Sequence, residues 1–317
     1  MNTIHLRPVE SESDFDQLAA WFTILENETS TGPEIKKEYD ELKERLLVKV
    51  AADEQGERLG FYWASRNMVE PDRADMYLFV QPEKRRQGVG RRLYDDLAQA
   101  ALAARMRKLR VTVSDNCLEG RAFTDWCGFV ERRHSIAMEL DLKTFDDRPY
   151  DAVIARLEGQ GFRFTSMEAL GNTEEAQRKL FTLNDTTVAT TPGSEGEHAW
   201  ASFEDFQKRV CQSDWYNPAG QMVVIDTASG AWVAMSAITR RAGNDFAYNL
   251  FTGVEASYRG RKLGQAVKVL ALRYARDVLG AASVRTHHNE VNLPMIAIDR
   301  KLGYRQTPGN YLMEKIL

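Results

Sequence analysis

A chain of 317 residues has room for two domains, and 43% apolar against 28% charged residues is the balance of a soluble globular protein with a full core in each. A net charge of −4 gives no general attraction to nucleic acid or to an anionic membrane. Three cysteines, Cys117, Cys127 and Cys211, make neither a disulfide framework nor a C-x-x-C metal pair.

The start, MNTIHLRPVESESDFD, lacks the basic and apolar run of a signal peptide, and no apolar stretch is long enough to span a bilayer, so the expected address is the cytoplasm. From there the pattern predicts helices over 14–25 and 34–46, then strands over 47–52, 59–64 and 74–80. A Gly-containing loop follows, and then a helix on which Val89, Leu93, Leu97 and Ala101 recur every four residues. A strand over 109–113 and a short helix lead to the pair Gly128-Phe129. The polar stretch 141–149 ends in Pro149, a helix-starting residue, and the boundary between halves is expected there, dividing 1–148 from 149–317.

After a helix over 150–158 and a strand at Phe162-Arg163-Phe164, the order returns. Helices are expected over 173–184 and 203–211, then strands over 222–225, 232–238 and 246–251. A loop leads to a helix striped by Leu263, Val267, Leu270, Ala271, Tyr274 and Val278, which Gly280 can end. A strand over 283–286 and a short helix close on Gly303-Tyr304. Val80, Arg85 and Gly90 recur as Val254, Arg259 and Gly264, 174 residues on, and the Gly-aromatic pair recurs after 175. Each half reads β-α-α-β-β-β-α-β-α-β. Strands grouped before the loop suggest antiparallel pairing, and the helix after it one parallel crossover, so the expected class is α+β (α/β).

The loops carry the chemistry. A strand delivers the chain to a turn whose glycines keep it bare, and the first N–H groups of the next helix have no partner inside that helix. Such N–H groups, with the helix dipole behind them, hold phosphate, and nearby arginines add charge. The run Arg85-Arg86-Gln87-Gly88-Val89-Gly90 resembles the (Q/R)-x-x-G-x-(G/A) signature of the GNAT N-acetyltransferases, and the resemblance covers nearly the whole chain as two consecutive copies.

That resemblance implies two tandem domains, each a mixed, mostly antiparallel sheet flanked by helices, and an enzyme that moves an acetyl group from acetyl-CoA to a primary amine of a small molecule. It places the pantetheine arm on Leu78, Phe79 and Val80, and the pyrophosphate on Arg85, Arg86, Gln87, Gly88, Val89, Gly90 and Arg91. In the second copy the matching positions are Thr252, Gly253 and Val254, then Arg259, Gly260, Arg261, Lys262, Leu263 and Gly264. Lys262 replaces the first signature glycine, so on loop grounds the first copy is the better coenzyme site. Asn292, eleven residues before Gly303, fits a coenzyme contact of the family and equally an N-cap; the first copy has Cys117 there.

Where the family often carries an acidic Tyr, four residues before the Gly-aromatic pair, the chain has Thr124 and Asp299. Candidates for proton handling are Asp75 and Tyr77 on the first loop strand and His288 after the second half's next strand, with Asp299. No spacing suits a metal, and the basic cluster lacks the interleaved aromatics of a nucleic-acid patch. The stretches 26–33 and 184–198 are the expected acceptor loops. The rival reading is a non-catalytic acyl-CoA-binding or sensing protein, with one or both halves degenerate.

Overall fold

The computed structural model describes residues 3–26, 29–68, 70–194, 198–241 and 243–317. It forms two compact units, one of residues 1–133 with 311–317, the other of residues 134–310. Both expected acceptor loops fall partly outside the described residues, at 27–28 and 195–197.

In the first unit, β1 (His5–Arg7) leads through α1 (Glu12–Glu26) and α2 (Gly32–Leu42) to the strands β2 (Leu46–Ala52), β3 (Arg58–Arg66) and β4 (Arg73–Val80). After the loop come α3 (Val89–Ala103), β5 (Lys108–Ser114), α4 (Leu118–Trp126) and the start of β6 (Val130–Asp141). Neighbours from β1 to β4 are antiparallel, and β4 runs parallel to β5. Alternation along β4 sends Ala74, Met76, Leu78 and Val80 to the α3 side and Phe79 to the α1 side, where it joins Trp21, Phe22, Phe61 and Trp63. At the head of α1 the buried Asp14 receives Arg7, Arg58 and the backbone N–H groups of Glu10 and Ser11.

The second unit repeats the plan. α5 (Asp151–Gly159), β7 (Phe162–Ser166), α6 (Glu174–Val188) and α7 (Phe203–Phe206, continued as a π turn through Cys211) precede β8 (Gln221–Asp226), β9 (Trp232–Thr239) and β10 (Phe246–Val254). Then follow α8 (Leu263–Asp277), β11 (Ser283–Asn289), α9 (Leu293–Leu302) and β12 (Arg305–Ile316). β7 to β10 pair antiparallel in order, β10 is parallel to β11, and β11 pairs antiparallel with residues 135–141 of β6. The expected element order and mixed sheet are present in both units.

Compact units follow strand pairing, whereas the expected boundary at 148 follows the repeat. Residues 134–141 belong with the second unit because β11 binds them, and residues 311–317 complete the first. There Met313 is fully buried in the core, Glu314 pairs with Arg110 and Arg132, and the Leu317 N–H donates to the Arg107 carbonyl. Of the expected stripe on α8, Val278 lies just past the helix end and is exposed, while Lys268, on the same helix, is fully buried.

Candidate active site

In each unit the loop strand leaves its parallel neighbour part-way. β4 pairs with β5 from Arg73 to Met76 and then parts from it, so Tyr77 to Val80 have β3 on one edge and no strand register on the other. β10 pairs with β11 from Phe246 to Tyr248 and likewise parts. The freed backbone edges include Leu78, Phe79 and Val80 in one unit and Thr252, Gly253 and Val254 in the other. Such an edge offers donors and acceptors to an extended ligand. Only the second carries a β-bulge, between Asn249 and Phe251, where the strands part. A bulge breaks the ladder and re-aims the side chains beside it.

Both loops have one backbone course. Each has a single 3₁₀ turn, then an extended arginine, Arg85 or Arg259, whose Nε donates to the carbonyl of Val80 or Val254. Two left-handed residues follow, Arg86 and Gly88 in the first loop (φ 61° and 89°), Gly260 and Lys262 in the second (φ 79° and 71°). The copies have exchanged which position is glycine. A Cβ at Gly88 would meet nothing within 4 Å, so a side chain there costs only backbone strain. Lys262 takes up the same left-handed backbone as Gly88. Gly90 and Gly264, in the first turn of each helix, let it lie against the end of the loop strand: their Cβ positions are 3.6 Å from Val80 Cγ2 and 3.0 Å from Val254 Cγ2.

The loops differ in charge. Arg85 Nη1 is 2.5 Å from Glu119 Oε2, and Arg91 faces Asp95 at 3.6 Å and the Trp126 ring. Gln87 bonds back to the Glu83 carbonyl, and among the described residues Arg86 has no carboxylate. In the second loop Arg259 bonds Thr190 through its carbonyl and hydroxyl, and Arg261 lies over Tyr258. Among the described residues no carboxylate pairs with Arg259, Arg261 or Lys262. Fewer cations of the second loop are thus paired with carboxylates than of the first. Val89 and Leu263 are buried and anchor the two helix starts.

The proton-handling candidates separate. Asp75 is engaged by Arg73 and Asn67, and the Tyr77 hydroxyl donates to Glu26 Oε1 at 2.8 Å, with burial and that carboxylate holding the phenol well above its usual range. The Thr124 hydroxyl is spent on carbonyls of its own helix. His288 and Asp299 meet: Nε2 lies 2.6 Å from Oδ2, with Asp299 fully buried and 9% of the His288 side chain exposed. The other carboxylate oxygen of Asp299 contacts the Lys268 ammonium, which sits 4.9 Å from the centre of the Tyr304 ring. Sequence reading missed Lys268, since a lysine on an amphipathic helix reads as a solvated face. Asn292 caps α9 through the Met295 N–H; Cys117 makes no such bond. His134 pairs with Glu290 at 3.1 Å.

On the α8 side of β10, Asn249 donates to Ser236 and the Ala237 carbonyl and Thr252 donates to Asn249, while on the α6 side Trp200 donates to Asn184. The faces away from the loop helices are both ring-rich: Trp21 stacks on Phe61, and Phe22 meets Phe61, Trp63 and Tyr77 edge-on in the first unit, and Phe206 packs with Phe181 and Trp200 in the second. Among the described residues no group of His, Cys, Asp and Glu has metal-site geometry, and no helix is long and apolar enough to cross a membrane.

Residues 14–129 match the sequence model of the acetyltransferase (GNAT) family. Mycothiol acetyltransferase of Thermobifida fusca (strain YX) is 28% identical over 268 residues, 79% of this chain and 77% of that protein. A GCN5-related N-acetyltransferase from Sphaerobacter thermophilus superposes with a TM-score of 0.72 at 15% identity, over 99% of this chain and 95% of that one. A tandem GNAT protein from the clavulanic acid biosynthesis pathway does so at 0.65 and 19%, over 99% and 98%. The GNAT family match thus lies in the first copy, both copies share the tandem GNAT fold, and the likenesses support an acetyl-CoA-dependent N-acetyltransferase.

Proposed function

We propose that the second unit transfers the acetyl group of acetyl-CoA to a primary amine of a small molecule, by direct attack with both substrates bound. Acetyl-CoA supplies an activated carbonyl; the C–N bond forms as the C–S bond breaks, and the amine's surplus proton must leave. The first turn of α8 with Arg259, Arg261 and Lys262 would hold the pyrophosphate, and the freed edge of Thr252 to Val254 the pantetheine arm. The observation that carries the assignment is the second loop strand, which is bulged where it parts from β11 and ends in a cradle whose cations have no carboxylate partners among the described residues.

A mycothiol-related amine is the first class to try, from the name of the relative. The reading of a non-catalytic half applies best to the first unit, where Arg85 is paired with Glu119. Titration calorimetry with acetyl-CoA, then a thiol-release assay over an amine library, tests both. Transfer lost on Arg259→Ala and kept on Arg85→Ala supports the assignment. The reverse pattern moves catalysis to the first unit, and no binding at millimolar coenzyme removes the reading.

A further inference from the structure

The two copies offer a comparison inside one molecule. Strand register aligns Leu109 with Val284, each opposite an alanine of its loop strand, Ala74 or Ala247. Continuing along both copies sets His288 against Val113, Asp299 against Thr124, Tyr304 against Phe129 and, by the loop offset, Lys268 against Tyr94. In the first unit this place closes as ordinary core. Val113, Tyr94 and Phe129 are buried in one cluster, with the two rings 6.1 Å apart, and Thr124 bonds only its own helix. The second unit fills the same place with a lysine, an aspartate and a histidine in a chain, beside a tyrosine whose hydroxyl has no partner.

The fold does not require that chain, since the first copy does without it. Nor does stability: removing two charges from water costs several kcal/mol per ion, and apolar packing at such sites is often as stable or more so. Burial pulls the Lys268 ammonium below its usual range, with Asp299 opposing the shift. The groups around His288 are Asp299 from α9, Lys268 from α8, Tyr304 past α9 and His287 on its own strand; His134 and Glu290 pair with each other at the strand's end.

We infer that His288 is the proton acceptor of the second site, with Asp299 and Lys268 as positioning residues. The inference rests on the proposed transfer by the second unit. Asp299 accepts from Nε2–H and so fixes that tautomer, which leaves Nδ1 as the basic nitrogen. Among the described residues Nδ1 has no partner, and it is absent from the sealed, unpartnered polar atoms. His288 lies on β11 beyond Arg285, where β10 has already parted, and Thr286, two residues earlier on the same face, donates across the opening to the Asn249 carbonyl. As the amine nitrogen bonds to the acetyl carbon and the thiolate departs, the nitrogen's proton passes to Nδ1 and from there reaches the thiolate through solvent. Asp299, in contact with Lys268, stays fixed on His288.

The test uses the full chain with acetyl-CoA and the best amine of the library. His288→Gln is expected to lower kcat about 100-fold or more, the lower end of general-base effects, with the KM for acetyl-CoA within about twofold. It should also abolish the acidic limb of the pH profile. Asp299→Asn should lower kcat and, in ¹⁵N spectra of the imidazole, shift the neutral ring away from the Nε2–H form. To separate loss of chemistry from loss of fold, the first copy's solution is also installed whole: H288V, D299T, Y304F and K268Y together. That variant should melt no lower than the wild type and transfer no acetyl. Transfer within about threefold of wild type in H288Q or in the fourfold variant overturns the inference, as does a neutral His288 protonated on Nδ1 in the wild type. If the wild type acetylates no amine, the functional reading fails, and the imidazole spectrum still decides the tautomer.

Discussion

Gly264 and Gly90 occupy the same place in the two units, and a single methyl group on each separates their roles. An ordinary carbon–carbon contact is about 3.7 Å. At Gly264 the added carbon would lie 3.0 Å from Val254 Cγ2, so the first turn of α8 must withdraw by roughly 0.7 Å from the loop strand. At Gly90 the tightest contact is 3.3 Å, to the ring edge of Phe123, which can turn aside. Overpacking of the first kind costs about 1–3 kcal/mol, and a displacement near 1 Å of groups that place a substrate costs up to about 100-fold in rate. Gly264→Ala is therefore expected to lower kcat/KM for acetyl-CoA roughly 10- to 100-fold and to lower the melting temperature by a few degrees. Gly90→Ala should leave transfer within about twofold. Initial rates by thiol release at several coenzyme concentrations, with a melting curve on the same samples, measure both. Unchanged kinetics in G264A, or a transfer loss confined to G90A, would refute the argument that the second loop holds the working coenzyme.

Two further expectations concern stability and reactivity. Asp14 is held far below the usual carboxylate range, first by its hydrogen bond to Arg7, with backbone N–H groups and Arg58 adding to it, so its contribution is present above the unfolded carboxylate value and is lost as pH falls through the folded one. Asp14→Asn should destabilise the first unit by about 3 kcal/mol at neutral pH, toward the low end for a broken buried pair because Arg7 and Arg58 keep some water, and the gap should narrow in strong acid; equal denaturant midpoints at pH 7 would contradict this. Burial pushes the Cys127 and Cys211 thiols up to about 11, so roughly one in a thousand is thiolate at pH 8. A thiol reagent should label the exposed Cys117 first, and prior labelling of Cys127 would show the first core to be open.

The repeat was legible because its signals are local. Strand, turn and helix each impose a residue pattern on a short window, and two windows 174 residues apart agree. The site was legible only where chemistry is written in neighbours, as in the loops. Lys262 read as a defect because a sequence records a missing glycine and not the matching left-handed turn two residues away, where Gly260 stands for Arg86. The pairing of Arg85 with Glu119 joins residues 34 apart, which no motif encodes. The bulge at Asn249–Phe251 is one extra residue in a run of strand formers, and periodicity over so few residues does not register it. Lys268, Asp299 and His288 come from two helices and a strand, and each taken singly has an ordinary explanation.

The seven residues 311–317 bear on how this protein is made. They complete the first unit, yet the ribosome adds them only after all 177 residues of the second unit. Until then the first unit must wait with the partner of β5 missing, exposing a strand edge and the seat of Met313. A gene cut at the repeat boundary would yield a first half that keeps residues 134–148 and lacks its own closing strand. Two copies of one fold make up this chain, yet no single peptide bond divides it into them.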